Sequence, residues 1–477
     1  MMPSEQSEIA AAAPIAPAGI WATLREAIRG SRIDYTTAPV GRAVVMLAVP
    51  MVMEMAMESI FAVADVFWVA HLGAAAVATV GLTESMLTII YTAAMGLSIG
   101  ATALVARRVG EHDRDGAARA AGQSIVLGLI VAAAVAVLAA PRAPTLLAVM
   151  GAPEDVIRTG RVFTRTMLGG NATIVMLFLI NAVFRGSGDA AVAMRVLWFG
   201  NFLNIVLGPC FIFGLGPFPE LGVTGAAVAT NIGRGSAVIY QLTILARGRD
   251  RVHVRWRDLR FHLPTMRTVL RLSGSGTIQI LIGTTSYIGL VRILSTFGAA
   301  SLAGYTIGIR VIIFALLPAF GISNAAATMV GQNLGAGRPD RAERAVWTAA
   351  LYNMILLGAV GVVFLITARL IAAAFTSDPN VQPYTISCLR IVSLGFLFYA
   401  CGMVVTQAFN GAGDTWTPTL INLFVFWLFE IPLAWLLSVQ AGMGPRGVFV
   451  ALTIAYSALA VVSVALFRRG RWKAERV

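Results

Sequence analysis

Long apolar blocks separated by clusters of Arg, Gly and Pro recur along the whole chain. A helix needs ~20 apolar residues to cross a bilayer, and every block is long enough. The pattern predicts helices near 43–70, 78–105, 120–140, 162–184, 191–212, 222–246, 268–295, 301–331, 345–371, 385–409, 416–438 and 447–467. The segments between them alternate in charge. One set holds Arg25, Arg29, Arg32, Arg42, Arg107, Arg108, Arg114, Arg119, Arg185, Arg195, the run from Arg247 to Arg271, then Arg338, Arg341, Arg344 and the tail from Arg468. The other holds Arg142, Arg158, Arg161, Arg165, Arg369 and Arg446. The first set marks the cytoplasmic side, so both termini are expected inside. The outside cluster Arg158, Arg161 and Arg165 runs against this bias but is outweighed by it.

Composition supports the same picture. Of 477 residues, 58% are hydrophobic and 12% charged, whereas a soluble domain carries about 25% charged residues. The excess of 36 Lys+Arg over 23 Asp+Glu is then a signal of orientation, not of nucleic acid, because the bases flank spans. The basic run after residue 246 reads as a topology determinant lying on anionic lipid. Cys210, Cys388 and Cys401 lie in apolar stretches with no ligand spacing, as small core residues. Residues 1–40 carry Pro3, Pro14, Pro17 and Pro39 and a short Ala-rich run, which reads as a cytoplasmic tail and not a signal peptide.

An internal repeat organises the spans. "FRGSGD" (184–189) matches "FNGAGD" (409–414) at an offset of 414 − 189 = 225. The same offset places "LGAAAVA" (72–78) on "FGAASLA" (297–303) and "VARRVG" (105–110) on "VGQNLG" (330–335). The expected organisation is a tail (1–40), a six-helix lobe (41–246), a basic linker (247–265), a second six-helix lobe (266–470) and a tail (471–477). Six is even, so the lobes enter the membrane from the same side and form a parallel repeat around a central cleft.

On these motifs, together with "FAVADVFWVAHLG" (61–73), "LNIVLGPCFIFGLG" (203–216), "LPAFGISNAAATMVGQNLGAG" (317–337) and "IPLAWLL" (431–437), the chain resembles the multidrug and toxic compound extrusion (MATE) family. The resemblance covers about Gly41 to Arg468, and within the family it is nearest the DNA-damage-inducible and archaeal branch. It implies an all-α polytopic protein of the bacterial inner membrane that exports amphipathic, often cationic compounds in exchange for protons or sodium ions. No cofactor is implied, and a monomer in contact with membrane lipids is expected.

Charge inside a bilayer is costly, so acids there are paired, protonated or functional. The first span holds Glu54, Glu58 and Asp65. At 100° per residue, Glu58 and Asp65 lie ~40° and ~20° from Glu54, so all three share one stripe. Burial and like-charged neighbours favour the protonated form of a carboxyl group, which lets it take up and release protons. Asp65 matches the family's first-helix aspartate, to which the resemblance assigns cation coupling. Asn204 matches the polar member of the family's N-x-x-x-D-P pattern in the fifth span, and Thr230 the polar position that closes the site. The pattern's aspartate is replaced here by Gly208, which weights coupling towards protons, with sodium as the alternative ion.

Pro50, one turn before Glu54, is a candidate hinge. Adding 225 to Glu54, Glu58 and Asp65 leads to Gln279, Gly283 and Leu290, so the acidic stripe belongs to the first lobe. Asn181, Arg310 and Glu430 are candidates for the substrate cavity. Simpler readings stay open: Asp65 as a buried acceptor between helices, Glu54 or Glu58 paired with Arg42, and Arg310 paired with Glu430. A lipid-linked oligosaccharide flippase is the alternative function, although the acidic stripe favours cationic cargo. A phosphate loop is excluded because the single lysine, Lys473, lies in the tail. No HExxH occurs, so the chain is not read as an enzyme.

Overall fold

The computed structural model describes residues 20–30, 33–248 and 251–475, without the side chains of Ile20, Val63, Asp65, Val66 and Ala70. Residues 1–19, nearly half of the expected tail, lie outside the described residues. Helices dominate: α1 (Ile20–Arg29), α2 (Val40–Ala70), α3 (Ala74–Gly110), α4 (Arg114–Leu138), α5 (Ala143–Val149), α6 (Glu154–Gly169), α7 (Ala172–Ser187), α8 (Ala190–Phe213) and α9 (Val223–Arg247). After the linker come α10 (Leu263–Ser295), α11 (Ala299–Gly335), α12 (Pro339–Phe375), α13 (Gln382–Ser393), α14 (Phe396–Ala412), α15 (Trp416–Asn422), α16 (Ile431–Trp435) and α17 (Pro445–Arg468). Among the described residues, ten helical segments are long and apolar enough to cross a membrane, and eleven if the bent pair α13–α14 is one span.

Every predicted block is helical, but three of them differ in detail from expectation. The block predicted at 162–184 is two helices, and Arg158, Arg161 and Arg165 belong to α6 rather than to a loop. Their exposed positions alternate with buried Val156, Phe163 and Met167, an amphipathic pattern that a hydropathy scan passes over. Asn171 holds the break by donating to the carbonyls of Leu168 and Ala132 at 2.6 and 3.0 Å. The block at 385–409 is likewise bent by 58° between α13 and α14. The block at 416–438 contains π-helical turns at Leu423–Glu430 and Leu436–Gln440, beside Pro432, which has no N–H to offer the helical ladder.

Elements 225 residues apart have matching bounds. α3 and α11 both run 37 residues, from Ala74 and Ala299 (299 − 74 = 225) to Gly110 and Gly335. α7 and α14 end on Gly188 and Gly413, at φ +92° and +91°, the left-handed cap that glycine adopts without a Cβ clash. Close approaches repeat too: a Cβ on Gly110 would collide with the Gln332 carbonyl, and one on Gly335 with the Arg107 carbonyl.

Hydrogen bonds between the two halves cluster at the end of the bundle that carries the linker. Arg338 donates to the Thr36 carbonyl at 2.7 Å, and Arg341 to those of Tyr35 and Ala38. The first turns of α2 (Val44, Leu47, Met51) share a core with Met329, Ala345 and Ala349 of α11 and α12. At this end Gln123 of α4 ties the linker down, donating to the Asp258 and Arg260 carbonyls at 2.9 and 2.7 Å and accepting from the His262 amide at 3.0 Å. The basic run is thus stitched to protein as well as facing outward.

Candidate functional site

The face of α2 that carries the acids packs against α7, α8 and α9. Glu54 is 1% exposed. Its Oε1 accepts from the Arg185 guanidinium at 2.7 Å and from Asn181 Nδ2 at 3.0 Å, while Oε2 has no hydrogen-bond partner among the described residues. Asn181 and Arg185 are four residues apart on α7, on one face of the helix. Asn181 Oδ1 in turn accepts from Gln241 Nε2 of α9 at 2.5 Å. A buried carboxylate is tolerated only when paired and hydrogen-bonded, and Arg185 supplies both conditions.

One turn on, Glu58 accepts from Asn201 of α8 at 3.1 Å and faces the Arg234 guanidinium of α9 at 3.5 Å. Arg234 also donates to the Tyr91 hydroxyl at 2.9 Å and stacks over the rings of Phe61 and Tyr91, so its charge is shared between a carboxylate and two π faces. Asn204 donates to Thr230 Oγ1 at 2.9 Å. Thr230, Arg234, Phe61, Tyr91, Phe163 and Glu84 line a cavity of about 40 Å³. Arg310 of α11 and Arg234 are the cations that face Glu84.

The structure brings Glu54 and Asn181 together, joins Asn204 to Thr230, and places Glu58 one turn further along the same face. Asp65 lies on α2, but its side chain is outside the described residues. Pro50 is buried within α2, which runs unbroken through it. The alternative pairing with Arg42 is not formed: Arg42 binds Glu26 of α1 at 2.6 Å, because the first turns of α2 are covered by α1. Arg310 is exposed, and among the described residues no ion pair joins it to Glu430. Glu430 is instead 1% exposed with Oε1 unpartnered, facing Tyr305, Tyr399 and Tyr456 in the core of the second half.

The acidic stripe therefore differs from its sequence reading in one respect. Glu54 and Glu58 are each matched by an arginine, so they do not add up to a negative surface. Arg185, Arg234, Asn201, Gln241 and Glu84 are the residues the sequence reading passed over. By sequence alone Arg185 reads as a cytoplasmic topology charge. The signal available for it was Asn181 one turn earlier on the same helical face.

The pair also touches the other half of the molecule. The Arg185 carbonyl accepts from the Thr328 hydroxyl of α11 at 3.1 Å, and the Gly186 carbonyl accepts from Gln332 Nε2 at 2.9 Å. Arg185 thus stands between the Glu54 carboxylate and the contact joining α7 to α11. Such an arrangement can carry a change of charge at one carboxylate to the junction of the two halves.

The family model described as MatE matches residues 50–210 and 277–436. A Thermotoga maritima protein named "Probable multidrug resistance protein NorM" is 26% identical over 439 residues, covering 91% of this chain and 94% of that protein. A Shewanella oneidensis protein named "FAD transporter" is 24% identical, covering 89% of this chain and 93% of that one. A solved structure titled "Outward-facing conformation of a multidrug resistance MATE family transporter of the MOP superfamily" superposes with a TM-score of 0.85 at 27% identity, over 94% of this chain and 98% of that one. "Crystal structure of MATE in the straight conformation" gives the same TM-score, identity and coverage.

Proposed function

The chain belongs to the MatE family, and from that premise we propose that it is a multidrug efflux transporter that exchanges protons for amphipathic, often cationic compounds by alternating access. Its relatives are named as transporters, not as enzymes. The observation that carries the reading is the buried Glu54–Arg185 pair, 2.7 Å long, whose arginine also meets α11 through its backbone. Protonating Glu54 removes the counter-charge of Arg185 inside the bundle. The freed guanidinium seeks another acceptor, and the α7–α11 junction loses its present geometry.

Twelve spans complete the proposal, with α9 as the span beyond the eleven that pass on length and hydropathy. Two parallel six-helix lobes, 41–246 and 266–470, flank a cleft, a reading supported by the matching bounds of α3 and α11. The end carrying the linker is assigned to the cytoplasm because its arginines flank the spans. With hydrogen bonds between halves gathered at that end, the state we propose is outward-open, in a monomer of the inner membrane.

Protons are favoured over sodium by the donors around Glu54. Arg185 and Asn181 present N–H groups to it, and the Asn181 oxygen is already taken by Gln241. Sodium needs several oxygen lone pairs, which these groups do not offer, whereas a proton needs one. Asp65, with Asn204 and Thr230 of the same lobe, remains the principal coupling position, and Pro50 the hinge. Asn181 belongs in this reading to the coupling network, and Glu84 joins the cavity.

Dye efflux from inverted vesicles under an imposed proton gradient, compared with an imposed sodium gradient, tests the assignment. Proton-driven efflux of a cationic dye is expected. Efflux driven only by sodium would overturn the coupling ion, and preferential export of an anionic flavin would overturn the cargo class.

A further inference from the structure

The first described element, α1, takes no part in the site. It is a ten-residue helix, IWATLREAIR, packed on α2 through Ala27, which is 1% exposed. At 100° per residue Trp21 lies ~20° from Ile28 and ~40° from Arg25, and Arg29 lies ~40° further round. The first two are 84% and 38% exposed. An apolar edge beside an arginine edge, at the rim of a membrane protein, is the pattern of a helix lying in the interface.

Two neighbouring features mark the same level. The α8 helix turns Trp198, Phe199, Phe202 and Val206 outward, an apolar stripe for acyl chains, and Arg195 stands one turn nearer the linker end at the stripe's border. Across the same end the linker exposes Trp256, Phe261 and Leu263 at 80%, 74% and 78%, as residues of an interfacial belt do.

Between α1 and α8 lies a cavity of about 160 Å³ lined by Arg29, Arg195, Tyr35, Met46, Gly188 and Asp189, among others. Its carboxylate is already engaged, since Asp189 faces Arg251 at 3.6 Å and accepts from the Ser187 hydroxyl at 3.3 Å. The Tyr35 hydroxyl donates to the Gly188 carbonyl at 3.0 Å. Glu26, the acid of α1, is held by Arg42. Among the described residues Arg195 donates through its Nε to the Ala191 carbonyl. Two guanidinium groups therefore border a cavity whose acid and hydroxyl are occupied.

We propose that this cavity binds the phosphate of an anionic phospholipid headgroup between Arg29 and Arg195, with Trp21 and Ile28 seated in the acyl boundary. Arginine forks match phosphate oxygens in pairs. Charge alone would also admit free phosphate, but the apolar edge of α1 and the stripe of α8 lead from the cavity towards acyl chains. The inference rests on the membrane reading of the chain, not on its cargo or coupling ion, so failure of the efflux assay would leave it standing.

The test uses the full-length protein in nanodiscs of phosphatidylcholine and phosphatidylglycerol, with retained lipid counted by native mass spectrometry. The wild type is expected to retain phosphatidylglycerol preferentially, and Arg29→Gln with Arg195→Gln to lose roughly fivefold of that preference per arginine. Arg25→Gln, on α1 but outside the cavity, should keep it. The paired lysine variants guard against misfolding and should fall between, keeping charge without the fork. Wild-type preference in the double glutamine variant, or its loss whenever inorganic phosphate is present, would overturn the lipid site. Quenching by brominated lipid should be weaker in Trp21→Phe, and equal quenching would overturn the seating of α1.

Discussion

Arg185 binds the Glu54 carboxylate through its side chain at 2.7 Å. The same residue's carbonyl accepts the Thr328 hydroxyl of the opposite half. Removing one partner of such a buried pair strands a charge, so Arg185→Gln should cost about 3–5 kcal/mol. Glu54→Gln should cost less, because an uncharged amide can still accept from Arg185 and Asn181. The double variant should lose less than the sum of the singles, the signature of direct coupling. Thermal unfolding of the four proteins in detergent measures this. Additive losses would mean that the pair is not coupled.

Asp65→Asn keeps the shape of the side chain and removes its titration. Expression and thermal stability are expected to stay near wild type, while dye efflux under a proton gradient falls to the background of empty vesicles. Efflux at the wild-type rate would move coupling away from Asp65, leaving Glu54 and Glu58 as the acids of the lobe. Measuring Asp65→Asn beside Glu58→Gln separates these positions, since the Glu58 pair with Arg234 is long and shares its cation with Tyr91.

The helices were legible because span length and charge alternation are set by the bilayer, not by tertiary detail. The offset of 225 found in the sequence also separates the bounds of α3 from those of α11. The breaks were not legible: Asn171 marks one only through its bond to Ala132, 39 positions away. Nor was the pairing of the acids, for Arg185 lies 131 positions from Glu54 and near a helix end, where an arginine ordinarily reports topology. Asn204 and Thr230 came from resemblance and do meet, 26 positions apart. Periodicity could find the acidic stripe, but only the packing of α7 and α9 against it revealed that two of its acids are neutralised.

Glu430 offers a contrast within the same molecule. Among the described residues nothing donates to its buried Oε1, and tyrosines of α11, α14 and α17 lie close enough to feel its charge. Replacing an unpaired buried acid by its amide leaves no counter-ion behind, so Glu430→Gln should be neutral or stabilising by up to about 1 kcal/mol. The unfolding midpoint compared with Glu54→Gln decides it. A large loss in Glu430→Gln would reveal that the carboxyl group has a structural partner.

The segment before α2 gives a prediction in pH. Asp34 is partly buried, which by itself raises its pKa, but the Thr36 hydroxyl and amide at 2.7 and 2.8 Å and the Thr37 hydroxyl more than compensate, so the net shift is downward. A carboxyl group with a lowered folded pKa contributes stability that is complete above its unfolded pKa, about 3.9, and is lost as pH falls through the folded value. The turn it shapes holds the Thr36 carbonyl that Arg338, the residue before α12, grasps, so the contribution reaches the junction of the two halves. Asp34→Asn should therefore lower the unfolding midpoint at neutral pH, and the gap from wild type should narrow as the pH drops below about 4. A gap that stays constant across this range would show that the Asp34 charge adds nothing to the turn beyond what an uncharged amide supplies.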